Sequence, residues 1–100
     1  MIAVKTGLFK PGGILASPGC VDALEESGQS VWIFLTRHLA GDWGVVDAED
    51  KEANDEALKD GSRLLSAYVL STGEKIWIIS EAEDDHGNRV SSTALTSDEY

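Results

Sequence analysis

Cysteine is nearly absent from this chain. Cys20 stands alone, so no disulfide can form within it and no cysteine framework for a metal exists. That usage fits a reducing compartment, and a cytoplasmic location is the expectation. Long apolar runs are also missing. No stretch approaches the roughly 20 apolar residues that cross a bilayer. The first residues, Met1 to Gly7, lack the apolar run that follows the lysine of a signal peptide. Cations are few, with 8 Lys and Arg against 18 Asp and Glu. Binding to a nucleic-acid backbone needs clustered Lys and Arg and is not expected. There is no Gly-rich phosphate loop, no Ser-His-Asp order, no zinc spacing and no twelve-residue calcium loop. No cofactor and no metal is therefore expected. Linkers, repeats and low-complexity tracts are missing too, so residues 1–100 read as one domain.

What is present is acid, unevenly placed. The net charge is −10. Residues 1–41 balance to zero, 42–60 carry −6, 61–80 carry +1 and 81–100 carry −5. Two acidic blocks flank a nearly neutral stretch. Such a chain suits solvation, divalent cations or a basic partner better than a phosphate backbone.

Helix signals fill the first half. Pro11-Gly12 reads as a turn, and Ile14-Leu15-Ala16 as a short edge strand. Ser17 can cap a helix that has Pro18 at its first position and closes at Gly28. Its inner side is expected to be Val21 and Leu24, with Cys20 nearby. Ser30 caps a second helix from Val31 to about Leu39, with Val31, Phe34, Leu35 and His38 inward and Gly41 as its stop. Asp47 caps a third, which closes at Gly61 and has a thin apolar face of Ala48, Ala53, Ala57 and Leu58.

From Arg63 the period becomes two. Arg63–Ser71 and Lys75–Glu81 form a hairpin around Thr72-Gly73, and Arg89 to about Leu95 gives a third antiparallel strand. The second strand is apolar on both sides, with Ile76 and Ile78 on one and Trp77 and Ile79 on the other. It is expected to be covered on both faces, or to leave Trp77 lining a groove. The fold class is α+β: a short N-terminal β segment, two or three helices, then a three-stranded antiparallel meander with helices on the sheet.

The densest set of reactive side chains is Arg37-His38-Leu39-Ala40-Gly41-Asp42-Trp43-Gly44. His38 with Asp42 can act as a base or half a metal site, and Arg37, His38 and Asp42 are the catalytic candidates. The plainer reading buries His38 and bonds it to a carbonyl or to Asp42. Arg37 and Arg63 suit carboxylate pairing, with Asp42, Asp47 or Glu81 as partners, or anion recognition. Trp43 is a core lid or a partner anchor, and Trp32 a surface-contact candidate. The binding candidates are thus Trp43, Arg37, Arg63 and Trp77. Cys20 reads as a small buried residue.

The motifs taken together resemble a known group. The segments Ala16-Ser17-Pro18-Gly19, Arg37-His38 with Gly41-Asp42-Trp43-Gly44, Gly61-Ser62-Arg63-Leu64-Leu65-Ser66-Ala67-Tyr68 and Lys75-Ile76-Trp77-Ile78-Ile79 look like a family of small uncharacterised bacterial proteins associated with plasmids and other mobile elements. The resemblance covers nearly the whole chain and carries no assigned catalytic residue. The chain departs from it in the polar Asp84–Asn88 segment and in the weakly apolar Ser91–Leu95 strand.

The leading expectation is a non-enzymatic interaction or regulatory protein of mobile-element origin with a protein partner. One alternative is a small hydrolase or nuclease using Arg37, His38 and Asp42. Another is an acidic DNA mimic that occupies a DNA-binding protein. A homodimer through the exposed edge of the last strand is a further expectation.

Overall fold

A computed structural model describes residues 7–100. The reading of Met1–Thr6 lies outside the described residues. The elements are β1 (Gly13–Ala16), α1 (Pro18–Ser27), α2 (Val31–Leu39), α3 (Ala48–Asp60), β2 (Leu64–Val69), β3 (Lys75–Ser80) and β4 (Ser91–Thr96). The architecture is α+β, with three helices and a four-stranded sheet in the order β1-β4-β3-β2.

Local capping chemistry sets the helix ends. Ser17 accepts from the Cys20 amide, Ser30 from Trp32 and Asp47 from Asp50. Gly28 and Gly61 close α1 and α3. The inner stripe of α1 is Cys20, Ala23 and Leu24, whereas Val21 is exposed. The expected Val21–Leu24 side was therefore rotated. The two stripes are almost equally apolar in sequence, and the small Cys20 and Ala23 let the helix approach the sheet closely.

The meander from β2 to β4 is antiparallel as expected. The N-terminal β segment is not separate from it. β1 runs parallel to β4 and completes one mixed sheet. This corrects the expectation of a purely antiparallel sheet. It also removes the expected dimer through the edge of the last strand, because β4 lies between β1 and β3.

The other edge, β2, is closed from within the chain. Gly44 bridges Ala67, with the Val45 amide donating to the Ala67 carbonyl at 2.8 Å and the Ala67 amide donating to the Trp43 carbonyl at 3.1 Å. Two residues earlier, the buried Asn54 of α3 treats Leu65 as a strand would. Its Nδ2 donates to the Leu65 carbonyl at 2.7 Å and its Oδ1 accepts the Leu65 amide at 2.9 Å. Edges left bare pair with other chains. Asn54→Ala is expected to cost about 2 kcal/mol, from two lost bonds and two stranded backbone groups. Urea denaturation and amide exchange at Leu65 check it; unchanged protection at Leu65 would show that the amide bonds carry no weight.

Strand alternation then sorts the sheet into two faces. Ile14, Ser92, Ser80 and Leu64 form a cross-strand row, followed by Ala16, Ala94, Ile78 and Ser66, then Thr96, Ile76 and Tyr68. All three helices pack on this face. Cys20, Leu24, Phe34 and Leu35 meet Tyr68, Ile76, Ile78 and Ala94 in the main core. Trp43, Ala57 and Leu64 make a second, smaller core.

Candidate functional site

The Arg37–Gly44 segment forms a joint between α2 and the β2 edge. Arg37 and Asp42 make a two-pronged ion pair, with Nε to Oδ2 at 2.7 Å and Nη2 to Oδ1 at 3.3 Å. The Arg37 guanidinium also lies over the Tyr68 ring, 4.7 Å from its centroid. Each partner favours the charged form of the other. The Asp42 bonds hold the Arg37 pKa above its ordinary value, and the Arg37 bonds hold Asp42 below its own. Asp42 Oδ1 accepts the Gly44 amide at 3.2 Å, and the Tyr68 hydroxyl donates to the Asp42 carbonyl at 2.7 Å. Both carboxylate oxygens are thus engaged in shaping the turn.

His38 points elsewhere. It is fully buried, edge-on to Phe9 at 5.2 Å and to Trp43 at 5.6 Å between centroids. Its partners are serines, not the expected carbonyl or Asp42. Nδ1 bonds Ser66 Oγ, and Nε2 bonds Ser80 Oγ at 2.9 Å. Ser80 Oγ meets Ser92 Oγ at 2.5 Å, and Ser92 Oγ reaches the Pro11 carbonyl at 2.8 Å.

The far end of this chain assigns its protons. A carbonyl only accepts, so Ser92 donates to Pro11. Ser80 then donates to Ser92 and must accept from His38 Nε2–H. His38 Nδ1 is left as the acceptor for the Ser66 hydroxyl. A neutral imidazole satisfies every member. Burial, with the Arg89 charge nearby, pushes the His38 pKa down to about 4. Arg37, His38 and Asp42 therefore do not converge. Two form a surface ion pair, and the third is sealed in the core with both ring nitrogens occupied.

The remaining candidates separate in the same way. Trp43 is 2% exposed and its indole N–H donates to Asp55 Oδ1 at 3.2 Å, so it is a core lid. Arg63 is exposed and enters no ion pair among the described residues. The arginine that sequence reading passed over, Arg89, is the buried one. Its Nη1 donates to the Ser62 carbonyl at 2.7 Å and the Glu81 carbonyl at 2.8 Å, beside the negative end of α3. A cavity of about 370 Å³ opens where Phe9 and Lys10 face Glu83, Asn88 and Arg89. None of Arg37, His38, Asp42 and Trp43 lines it. Cys20 is buried, and burial with Glu99 and Glu74 nearby pushes its thiol up to about 11, which leaves it un-ionised and unreactive. The acids Glu49, Glu52 and Glu56 are solvated on α3. No group of three metal-ligating side chains occurs among the described residues, and no helix there is long and apolar enough to cross a membrane.

Trp77 leads to a different surface. It belongs to the sheet face opposite the helices. Leu15, Thr93, Ile79 and Leu65 form one row across all four strands, and Leu95, Trp77 and Ala67 form the next. Leu15 is exposed, and Leu65, Ile79, Leu95 and Trp77 are half-buried. Over Trp77 lie the Tyr100 ring, with centroids 4.7 Å apart, and the Lys75 ammonium, 4.4 Å from the ring centroid. A sheet face that meets only water alternates to polar residues. Here, Thr93 apart, both rows are apolar across the width of the sheet. The signal was legible in the double-sided apolarity of Lys75–Ser80. The lateral rows were not, because they depend on pairings far apart in sequence. No family model matches the chain, and neither the curated proteins nor the solved structures contain a match to it.

Proposed function

We propose that the chain is a non-enzymatic protein-interaction module, of mobile-element origin as its sequence resemblance implies, and that its working surface is the open face of the sheet. The observation that carries this reading is the row Leu15–Thr93–Ile79–Leu65, apolar at every position but Thr93, with Leu95 and Trp77 beside it, unfaced by any helix among the described residues. Apolar area on this scale marks a contact surface. The aromatic at its middle is the residue type that anchors such contacts. The Arg37–Gly44 joint serves as scaffold in this reading, since its side chains are spent on one another.

The test compares association by the wild-type chain with association by Leu95→Glu and by Arg37→Ala, each immobilised and each checked for folding by circular dichroism. Leu95→Glu is expected to lose the proteins that wild type retains, and Arg37→Ala to keep them. The same proteins held by a folded Leu95→Glu chain would overturn the proposal.

A further inference from the structure

We infer that the partner covering the open sheet face is a second copy of this chain, packed face to face about a two-fold axis. This rests on the reading of that face as the interaction surface.

The charge distribution argues for self-association. The molecule carries −10, and two copies meeting through most of their surface would bring acids together. Residues 61–80, which hold two of the four strands, carry +1. Within the strands the open face holds a single charge, Lys75 on β3. Glu81 continues the β3 alternation one residue past the strand end, and its amide still donates to the Ser91 carbonyl. Lys75 and Glu81 therefore mark opposite ends of one line, roughly 20 Å apart at about 3.3 Å per residue. An axis in the plane of the interface and across the strands lays β3 antiparallel over its own copy. Lys75 of each chain then approaches Glu81 of the other. Such a contact is self-complementary, as a two-fold interface requires. The alternative axis, along the strands, sets Lys75 against Lys75.

Size and shape agree. Three strands of six residues and one of four, about 4.8 Å apart, present a face of at most roughly 20 by 20 Å. Two such faces, with their side-chain relief, bury on the order of 1,000 Å², the threshold of a specific interface. Twisted sheets stack about 10 Å apart with strands near 30° to one another, which keeps the two β3 strands nearly aligned. The dimer is thus expected to be reversible, with dissociation in the micromolar range. Both sheet edges stay out of the contact, so assembly closes at two copies.

Sedimentation equilibrium over a wide dilution range tests the inference. Wild type is expected to pass from monomer to dimer and no further. Leu95→Glu and the milder Thr93→Lys, a polar residue already, are expected to be folded monomers. Lys75→Glu is expected to weaken the dimer about tenfold, and Lys75→Glu with Glu81→Lys to restore it. A wild-type monomer at every concentration, or a dimer that survives Thr93→Lys and Leu95→Glu, overturns the inference. A failure of the charge swap to restore assembly overturns the antiparallel arrangement. If wild type is monomeric yet retains other proteins that the Leu95→Glu chain loses, the second copy is wrong and the interaction surface stands. If no association of any kind depends on the face, both fall.

Discussion

His38→Ala is expected to destabilise the fold by about 4 kcal/mol. The imidazole fills the space between Phe9 and Trp43 and bonds both Ser66 and Ser80. Its removal leaves a cavity, which in a packed core costs about 2–5 kcal/mol. It also strands two buried hydroxyls at about 1 kcal/mol or more each. Partial collapse of Phe9 offsets some of that. Urea denaturation measures the loss, and a change below about 1 kcal/mol would mean that the serine network contributes little.

The same residue sets an acid response whose sign follows from its pKa. His38 titrates at 6.5 when unfolded and at about 4 when folded. Between those values the unfolded chain binds more protons, so acid favours unfolding. The stabilisation is complete above 6.5 and declines as pH falls toward 4, by about 3 kcal/mol in all. His38→Gln is expected to flatten stability across that window. Glu99 acts in a lower one. The Ser17 hydroxyl and the backbone and side chain of Thr96 hold its carboxyl at about 2, so its contribution is lost only as pH falls from 4.5 toward 2. A wild-type curve that is level from 6.5 to 4 would contradict a His38 held neutral by burial in the folded state.

Gly44→Ala is the second large effect. Gly44 has φ +75, and a Cβ there would stand 1.9 Å from the Ala67 carbonyl oxygen and 2.7 Å from Tyr68 Cδ1. The backbone oxygen cannot move aside without breaking the bonds that join residues 43–45 to β2. The expected cost is about 3 kcal/mol or more, the sum of left-handed strain and a clash with main chain. Gly73 separates the two terms. It has φ +93 but nothing within 4 Å of its Cβ position. Gly73→Ala should cost only the strain, about 1 kcal/mol. Equal losses at the two sites would mean that the β2 edge yields to the added methyl.

Local chemistry made much of the fold readable. Ser17, Ser30 and Asp47 act on amides two or three residues away, so their helices could be placed without knowing the rest of the chain. The β2–β3 hairpin was equally local. Distance hid the remainder. Pairing of β1 with β4 joins Gly13 to Ser91, and no local pattern announces a parallel partner so remote. Asn54 looked like one more polar residue on a solvated helix, because its value lies in matching a strand edge eleven residues on. Ser66, Ser80 and Ser92 read as ordinary strand serines until the pleat and α2 brought them around one imidazole.

The candidate site shows the same division. Sequence density drew attention to Arg37–Gly44, where reactive residue types crowd together. Once folded, that crowding explains itself: Arg37 holds Asp42, Asp42 holds the Gly44 turn, and Trp43 seals the second core. The surface left unsatisfied is spread over four strands, and it shows in sequence only as one strand apolar on both sides.

The most direct test of that assignment is the solvent exposure of the open face, read from methyl and indole signals with an inert paramagnetic probe. At high dilution the methyls of Leu65, Ile79 and Leu95 should be broadened, and on assembly they should become protected together. Leu35 and Trp43 should be protected throughout, and Trp32 exposed throughout. Face methyls equally exposed in both states, or protection that arises instead at the exposed Thr36 and Ala40 methyls beside Arg37, would contradict the account.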